Sequence, residues 1–271
     1  MGLEQMQSYF GFTRLPFDRR IAPSALYRSS SHQEARARIQ FLISQGALGL
    51  ICGEVGAGKT CAARAAVAGL DHSRHTIIYL PNPAVGTRGI YCQIVCALGG
   101  EPYHYNANLI AQACELLERE RTERAKQVVL LVDEAHLLSP AQLEELRLLS
   151  NAEMDSQSPF AGILLGQPTL RKRLRMGSFA ALDQRIALRY ELTGMTEQES
   201  VEYVCHHLQL TGRKDTLFSD DALELLHRTS RGIPRQLNNL ATQALIACYA
   251  AQNAIVDLTC AQAAVAEVRA E

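Results

Sequence analysis

Short apolar runs alternate with longer helical patterns between about residue 32 and residue 193. The apolar runs that predict strands lie at 48–52, 75–80, 127–132, 160–166 and near 187–192. Patterns with helical spacing lie at 32–46, 59–69, near 87–98, 107–124 and 140–152. Strands that alternate with helices are typical of a parallel sheet covered by helices on both faces, so we predict an α/β domain.

After Thr193 the pattern changes to helices alone. The segment MTEQESVEYVCHHLQL places Thr196 and Glu199 at the spacing of a capping box, and Leu or Val recurs at helical intervals. Three further helical patterns follow, separated by Gly, Pro or Asn: SDDALELLHRTSRG, IPRQLNNLATQALIACYAAQ and TCAQAAVAEVRAE. We therefore predict a small all-helical domain at 194–271 behind the α/β domain at 31–193.

The first 30 residues have no helical or strand period. They are rich in aromatic residues, Pro and Ser, as in YFGFTRLPFDRRIAPSALYRSSS. We predict that residues 1–30 form an ordered arm that packs on the core.

Composition places the chain among globular proteins. Its 271 residues are 47% hydrophobic, which is ample for a buried core. No run approaches the roughly 20 apolar residues of a membrane span, and the N-terminus lacks a signal-peptide pattern. The eight cysteines form no C-x-x-C pair, so buried free thiols are favoured over a zinc site. We expect a cytoplasmic protein with no membrane partner.

The net charge of −1 gives no reason to expect a polyanionic partner, but charge is unevenly distributed. Between Phe160 and Thr193 there are six basic residues and two acidic ones. This local basic zone is a candidate for contacts with phosphate groups.

The segment GEVGAGKT, residues 53–60, has the spacing G-x-x-x-x-G-K-[ST] of a phosphate-binding loop. An apolar strand pattern precedes it and an Ala-rich helical pattern follows it, which is the context that such a loop requires. The alternative is a chance Gly-rich turn. We predict that nine residues bind a nucleotide: Gly53, Glu54, Val55, Gly56, Ala57, Gly58, Lys59, Thr60 and Cys61.

The segment VVLLVDEAH places two adjacent carboxylates at the end of an apolar strand. A nucleotide-hydrolysing site needs one acid for the metal and a group that activates water. We predict that Asp133 and Thr60 hold Mg²⁺ and that Glu134 polarises the attacking water. The alternative is a charge pair at a helix N-terminus.

Four further polar residues are candidates for contacts with the nucleotide. Gln167 follows the strand at 160–166 and could sense the γ-phosphate, unless it is a solvated strand end. Arg185 is the first candidate to stabilise transferred phosphoryl charge from a neighbouring subunit, with Arg189 as the alternative; each could instead be a surface residue. Arg235 follows Pro234 at a predicted helix start, where a cation opposes the helix dipole and therefore favours an external anion.

In chain order, the segments GEVGAGKT, LLVDEAH, LLGQPTL, LDQRIALRYEL and RGIPRQLNNL resemble Walker A, Walker B, sensor 1, arginine finger and sensor 2 of the AAA+ ATPases. The resemblance implies a P-loop parallel-sheet domain with a C-terminal helical lid, ATP with Mg²⁺ as cofactors, and self-assembly into a ring or helical filament with sites between subunits. The chain departs from many AAA+ proteins at sensor 1, where Gln167 replaces Asn.

More narrowly, YFGFTRLPFD, LYRSSSHQEA, GQPTL and QRIALR resemble a group that joins the general secretion pathway ATPase with the ATP-dependent regulators of DNA transposition. The secretion ATPase continues beyond its ATPase part with a membrane helix and a peptidoglycan-binding part. Because this sequence ends at Glu271, we expect a transposition regulator that binds double-stranded DNA and recruits a transposase. The alternatives are a secretion-type ATPase and a nucleotide switch without DNA.

Two segments are candidates for DNA contacts. The run RKRLR provides Arg171, Lys172 and Arg173, which could lie along phosphates or form a solvated helix face. Thr87 and Arg88 open a predicted helix, whose N-terminus favours a phosphate. In related transposition regulators the second region meets the DNA backbone, so the resemblance favours Thr87 and Arg88.

Overall fold

The structure is a computed structural model that describes residues 3–18, 21–151 and 158–270. The chain forms two compact units. One, called the sheet unit below, comprises 32–54 and 59–192; the other, called the helical unit, comprises 1–31, 55–58 and 193–271. The predicted boundaries after residues 30 and 193 stay predictions.

The sheet unit contains a five-stranded parallel sheet in the order β2-β3-β4-β1-β5. Its strands are β1 Leu48–Gly53, β2 His75–Leu80, β3 Gln127–Val132, β4 Phe160–Gly166 and β5 Ile186–Leu192. The predicted α/β fold is therefore confirmed, and each predicted strand lies within one residue of the observed bounds. Because all five strands are parallel, their carboxyl ends meet at one edge of the sheet.

Helices account for most of the remaining described residues. They are α1 Leu3–Phe10, α2 Ser30–Gln45, α3 Lys59–Val67, α4 Gly86–Ala97, α5 Asn106–Thr122, α6 Pro140–Leu149, α7 Pro168–Leu174, α8 Ala180–Arg185, α9 Glu197–Gln209, α10 Asp220–Ser230, α11 Pro234–Ala250 and α12 Leu258–Ala270. The last four form the predicted all-helical region, and Thr196 with Glu199 forms the predicted capping box of α9. The predicted helix end at residue 152 lies outside the described residues.

The core of the sheet unit is apolar because its central strands are covered on both faces. Every residue of β1 and β4 is buried, whereas β2 and β5, at the two edges of the sheet, are partly exposed. Continuous apolar runs are what a doubly covered parallel sheet requires. The central strands therefore hold the carboxyl-end edge in a fixed position.

The first residues of the chain pack in the helical unit, where Met6, Phe10, Phe12 and Phe17 are buried in one cluster with α9 to α12. The expectation of no regular structure in this segment is wrong between Leu3 and Phe10, which form α1. One helical turn separates Met6 from Phe10, so tertiary packing stabilises a helix too short to form alone. Residues 1, 2, 19 and 20 of the predicted arm lie outside the described residues.

The eight cysteines are free thiols, but their burial differs from the expectation. Three of them are buried, namely Cys52, Cys248 and Cys260. Three others are exposed, namely Cys96, Cys114 and Cys205. The prediction that these thiols are buried is therefore right only for part of the set. No helix among the described residues has the length and apolar character needed to cross a membrane.

Candidate active site

The glycine-rich loop connects β1 to α3. β1 ends at Gly53 and α3 begins at Lys59, as the strand, loop and helix pattern predicts. Gly56 and Gly58 have φ angles of +84° and +100°, which residues with a Cβ rarely adopt. The loop therefore turns directly into a helix N-terminus, where backbone N–H groups favour an anion.

A second constraint on Gly56 comes from within the helical unit, to which Val55–Gly58 belong. The backbone N–H of Arg235 donates to the carbonyl oxygen of Gly56 at 3.3 Å. A Cβ atom at Gly56 would lie 2.5 Å from Cβ of Arg235, which is closer than such atoms approach. Arg235 itself is exposed in the first turn of α11, directly after Pro234. Gly56 and Arg235, both predicted to bind nucleotide, are thus neighbours.

Lys59 is buried although it carries a charge, with 8% of the residue exposed. Its Nζ donates to the carbonyl oxygens of Gly53 at 2.8 Å and Glu54 at 3.0 Å. Hydrogen bonds of this kind offset the desolvation of a buried ammonium group. The charge of Lys59 is therefore held against the backbone of the loop itself.

Asp133 follows β3 and accepts hydrogen bonds from three donors. Thr60 Oγ1 donates to Asp133 Oδ2 at 2.7 Å, and the hydroxyl of Tyr79 donates to the same oxygen at 3.0 Å. The backbone N–H of Glu134 donates to Oδ1 at 2.9 Å. Asp133 is 5% exposed, so these bonds hold a buried carboxylate in one orientation.

Tyr79 was not predicted from the sequence. It is the second-last residue of β2, and its pKa is raised to about 12 by burial and by the charge and hydrogen bond of Asp133. It therefore remains a hydrogen-bond donor throughout the physiological pH range. A tyrosine in an apolar strand is ordinary, so nothing in the sequence singles it out.

Glu134 lies next to Asp133 but points to a different environment. Its φ angle of +49° is left-handed, which is uncommon for a residue with a long side chain, and a short 3₁₀ helix, Ala135–Leu137, follows it. Half of its side chain is exposed. His136 Nδ1 lies 3.3 Å from Glu134 Oε2, although the angle between them is not that of a hydrogen bond. Of the two carboxylates, one is buried and fixed and the other is accessible.

The donor set fits the predicted Mg²⁺. Thr60 and Asp133 provide a hydroxyl and a carboxylate in contact, and Mg²⁺ prefers such oxygen ligands, usually with one or two carboxylates plus phosphate oxygens and water. Within the described ranges no three His, Cys, Asp or Glu side chains are grouped as metal ligands. A site that shares its metal with substrate phosphates does not need such a group.

Gln167 lies between the two motifs in the sheet. β4 is flanked by β3 on one side and β1 on the other, and Gln167 follows directly after β4. Its side chain makes no capping hydrogen bond to α7, so it does not serve as a helix cap. The topology therefore places Gln167 at the same edge of the sheet as Lys59 and Asp133.

Both candidate arginines contact other residues of the sheet unit. Arg189 donates to the carboxylate and the carbonyl oxygen of Asp183 and to the carbonyl oxygen of Ile186, so its guanidinium has partners within its own chain. Arg185, at the end of α8, reaches Ser150 through long contacts of 3.3 and 3.4 Å. The choice between Arg185 and Arg189 as the residue that contacts a neighbouring subunit stays a prediction.

The residues predicted to contact DNA are largely engaged in the fold. Arg88, in the first turn of α4, donates to Asn106 Oδ1 at 3.0 Å and to the carbonyl oxygen of Tyr103 at 2.9 Å. Thr87 beside it is half-buried. Arg88 therefore has a structural role in holding the loop before α5.

The run at 171–175 is not a uniform basic face either. Arg171 pairs with Glu191 at 2.8 Å, and burial lowers the pKa of Arg173, whose Nε and Nη2 have no hydrogen-bond partner among the described residues. Only Lys172 and Arg175 are exposed. The prediction that Arg171, Lys172 and Arg173 contact DNA phosphates stays a prediction.

Comparison with protein families matches residues 42–174 to a family model described as an AAA domain. Comparison with curated proteins finds the general secretion pathway protein A of Aeromonas hydrophila, 37% identical over 245 residues. The match covers 89% of this chain and 44% of that protein, so the chain spans less than half the length of its relative.

Solved structures with the same fold include the Cdc6 protein of Pyrobaculum aerophilum, with a TM-score of 0.66 and 14% identity over 92% of this chain and 68% of that one. The ORC1 protein of Aeropyrum pernix, in complex with DNA, gives a TM-score of 0.62 at 14% identity over 89% and 66% of the two chains. The RuvB branch migration motor of Thermotoga maritima gives 0.56 at 17% identity over 86% and 67%. At these identities the likeness shows the fold alone, which is the AAA+ P-loop α/β fold.

Proposed function

We propose that this chain, which has the AAA+ fold and an AAA domain at 42–174, hydrolyses ATP with Mg²⁺ at the carboxyl ends of β1 and β3. The observation that carries the proposal is the 2.7 Å hydrogen bond from Thr60 to Asp133. It joins the residue after the glycine-rich loop to the acid after β3, which are the two parts that a P-loop nucleotidase requires.

Each residue of the site has a distinct part in the proposed reaction. The loop N–H groups and Lys59 bind the phosphates, because they offer positive charge at a helix N-terminus. Glu134 accepts a proton from the attacking water or orients it, since its carboxylate is accessible while that of Asp133 is not. Gln167 lies at the same edge and would contact the γ-phosphate.

Thr60 and Asp133 would hold Mg²⁺, which neutralises phosphate charge in P-loop sites when it is bound. The protein contributes their orientation: three donors fix the buried Asp133, and Thr60 is exposed beside it. Because Asp133 is oriented in advance, little side-chain entropy is lost when the ligand binds.

Arg185 would complete the site of a neighbouring copy in a ring or filament. It is the last residue of α8, and the support for this role is its place in the segment LDQRIALRYEL, which resembles an arginine-finger motif. Arg235, exposed beside Gly56, would contact the nucleotide within its own chain. Assembly would then be coupled to hydrolysis, because each site needs residues from two copies.

We further propose that this ATPase serves a secretion pathway. The support is the 37% identity to the general secretion pathway protein A over 245 residues. The secretion-type alternative is therefore preferred to the transposition regulator that the end at Glu271 suggested. Because the chain matches 44% of its relative, the position of its last residue carries no argument for either function.

The expected partners of a transposition regulator, double-stranded DNA and a transposase, receive no support from these relatives. One neighbour was solved in complex with DNA, but at 14% identity that likeness concerns the fold. Arg88, the residue preferred for DNA contacts, donates hydrogen bonds to Asn106 and Tyr103 of its own chain. DNA binding therefore stays a prediction and is the outcome that would favour the transposition hypothesis.

A genetic experiment tests the secretion proposal. The gene is deleted in its source organism and replaced by the wild type, by Glu134→Gln or by Glu101→Gln, and secreted proteins in the culture supernatant are quantified. Secretion should fall on deletion and be restored by the wild type and by Glu101→Gln, because Glu101 is exposed and makes no side-chain hydrogen bond among the described residues. Normal secretion in the deletion strain would contradict the proposal.

A binding experiment tests the competing hypothesis. Fluorescence anisotropy of two unrelated DNA duplexes is measured with and without ATP over a range of salt concentrations. The secretion proposal predicts no ATP-dependent binding. Binding that requires ATP, lacks sequence preference and falls steeply with salt would instead support a transposition regulator.

A further inference from the structure

Tyr79 is the one member of the Asp133 hydrogen-bond group that no sequence motif accounts for. Its ring lies on the edge strand β2 and 47% of the residue is exposed, yet its hydroxyl reaches the buried Asp133 Oδ2 at 3.0 Å. A half-exposed tyrosine could satisfy its hydroxyl with water. Its hydrogen bond to Asp133 is therefore not required merely to satisfy the hydroxyl, and it needs another explanation.

The acceptor capacity of Asp133 gives that explanation. An ionised carboxylate has about four acceptor positions, two on each oxygen. Thr60 and Tyr79 both donate to Oδ2, and the backbone N–H of Glu134 donates to Oδ1. These donors leave capacity on Oδ1, which is the oxygen that remains able to accept a further donor such as a metal-bound water.

We propose that Tyr79 is a positioning residue for the magnesium site: its hydroxyl occupies Oδ2 of Asp133 and so presents Oδ1 to the hydrated ion. This inference rests on the proposed ATPase function and adds a residue to it. Thr60 can keep donating its proton to Oδ2 while its oxygen contacts the metal, and Tyr79 supplies the second donor to Oδ2 from β2, on the far side of β3 from β1.

The geometry distinguishes this role from support of the fold. The backbone of Tyr79 pairs with Leu131 of β3, and this pairing does not depend on the side-chain hydroxyl. Replacement by Phe keeps the ring and the strand and removes a single hydrogen bond. The effect on the fold should therefore be small, and the effect on Asp133 specific.

Tyr79→Phe is compared with Tyr105→Phe. Tyr105 is 72% exposed, and its hydroxyl makes no hydrogen bond among the described residues. A fluorescent ATP analogue is titrated at several free Mg²⁺ concentrations and in EDTA, which measures binding without turnover. Affinity for the ATP analogue should increase with free Mg²⁺. In Tyr79→Phe the Mg²⁺ concentration that gives half of this increase should be roughly three- to tenfold higher than in the wild type, because Asp133 loses one of its three hydrogen bonds. Affinity in EDTA should stay within about twofold of the wild type, and Tyr105→Phe should match the wild type in both conditions.

Two results would overturn the inference. An unchanged Mg²⁺ dependence in Tyr79→Phe would show that Asp133 needs no help from Tyr79. An equal loss of affinity with and without Mg²⁺ would assign Tyr79 to the fold of the site instead. If the wild type itself binds no nucleotide, the proposed function fails together with this inference, and that result is distinct from the other two.

Discussion

Thr60 Oγ1 lies 2.7 Å from Oδ2 of Asp133, although 73 positions separate the two residues in sequence. The contact forms because β1 and β3 end at the same edge of a parallel sheet, with β4 between them. It brings the phosphate-binding loop and the candidate metal ligand together.

Replacement of Glu134 by Gln should separate binding from turnover. The amide keeps the shape of the side chain but cannot accept the proton of the attacking water, so hydrolysis should fall by roughly two orders of magnitude or more. Affinity for ATP should change little, because the proposed contacts with the phosphates and the metal come from Lys59, Thr60 and Asp133 and not from the half-exposed Glu134. Phosphate release and nucleotide binding are measured on the same preparation, with Glu101→Gln as control. Unchanged hydrolysis would remove Glu134 from its proposed role.

Replacement of Gly56 by Ala should disable the loop. The new Cβ would lie 2.5 Å from Cβ of Arg235, and alanine rarely adopts the φ of +84° found at this position. The loop must therefore shift. We expect ATP affinity to fall at least tenfold and the free energy of unfolding to drop by about 1–3 kcal/mol. Gly69→Ala is the matched control, because nothing lies within 4 Å of the added Cβ and its φ is not positive. Equal ATP affinity in the two variants would contradict the structural account of the loop.

Arg185 and Arg189 should behave differently when each is replaced by Ala. If Arg185 acts on a neighbouring copy, the specific activity of the wild type should increase with protein concentration. Arg185→Ala should remove this increase and leave ATP affinity intact. Arg189→Ala breaks the ion pair with Asp183, so it should lower thermal stability instead. Hydrolysis per subunit is measured over a hundredfold range of protein concentration. If Arg185→Ala loses the same fraction of wild-type activity at low and at high protein concentration, Arg185 acts on the nucleotide bound by its own subunit.

The motifs were predictable from sequence because their residues must be adjacent in the chain. Gly56 to Thr60 depend on a local turn, and Asp133 follows a strand whose apolar run is unambiguous. Tyr79 could not be found in this way, because its role depends on a contact with a residue 54 positions away. A linear count of charge in the basic zone does not reveal ion pairs either, such as the one between Arg171 and Glu191.

Three short helices were not predicted from the sequence, also for a physical reason. α1, α7 and α8 have six to eight residues each, which is below the length at which a helix forms without tertiary contacts. Met6 and Phe10 are buried by residues of the helical unit that are distant in sequence. The local sequence around α1 therefore does not predict their burial.

His207 should make the helical unit less stable as pH falls. It is buried against Phe17 and Tyr203, and burial, followed by the charges of His206 and Arg14, lowers its pKa to about 4. Between pH 4 and about 6.5 the unfolded chain binds more protons than the folded one, so stability is lost as pH decreases. The loss attributable to His207 should be about 2 kcal/mol at pH 5 relative to pH 7.

The measurement is thermal unfolding at pH 5, 6 and 7 for the wild type and for His207→Phe. The variant keeps a ring at this position and cannot be protonated, so its unfolding temperature should change less over the same range. An identical pH dependence in the two proteins would show that His207 is not the titrating group.

The central claim, that the loop at 53–60 and Asp133 form an ATPase site, is tested most directly by ATP binding and hydrolysis of purified wild type and Lys59→Ala in the presence of Mg²⁺. Lys59 is the positively charged residue of the segment 53–60, and its Nζ donates to the carbonyl oxygens of Gly53 and Glu54. The account predicts that the wild type binds and hydrolyses ATP and that Lys59→Ala loses at least roughly a hundredfold in affinity, with no detectable turnover. Equal ATP binding and hydrolysis by wild type and Lys59→Ala would contradict it.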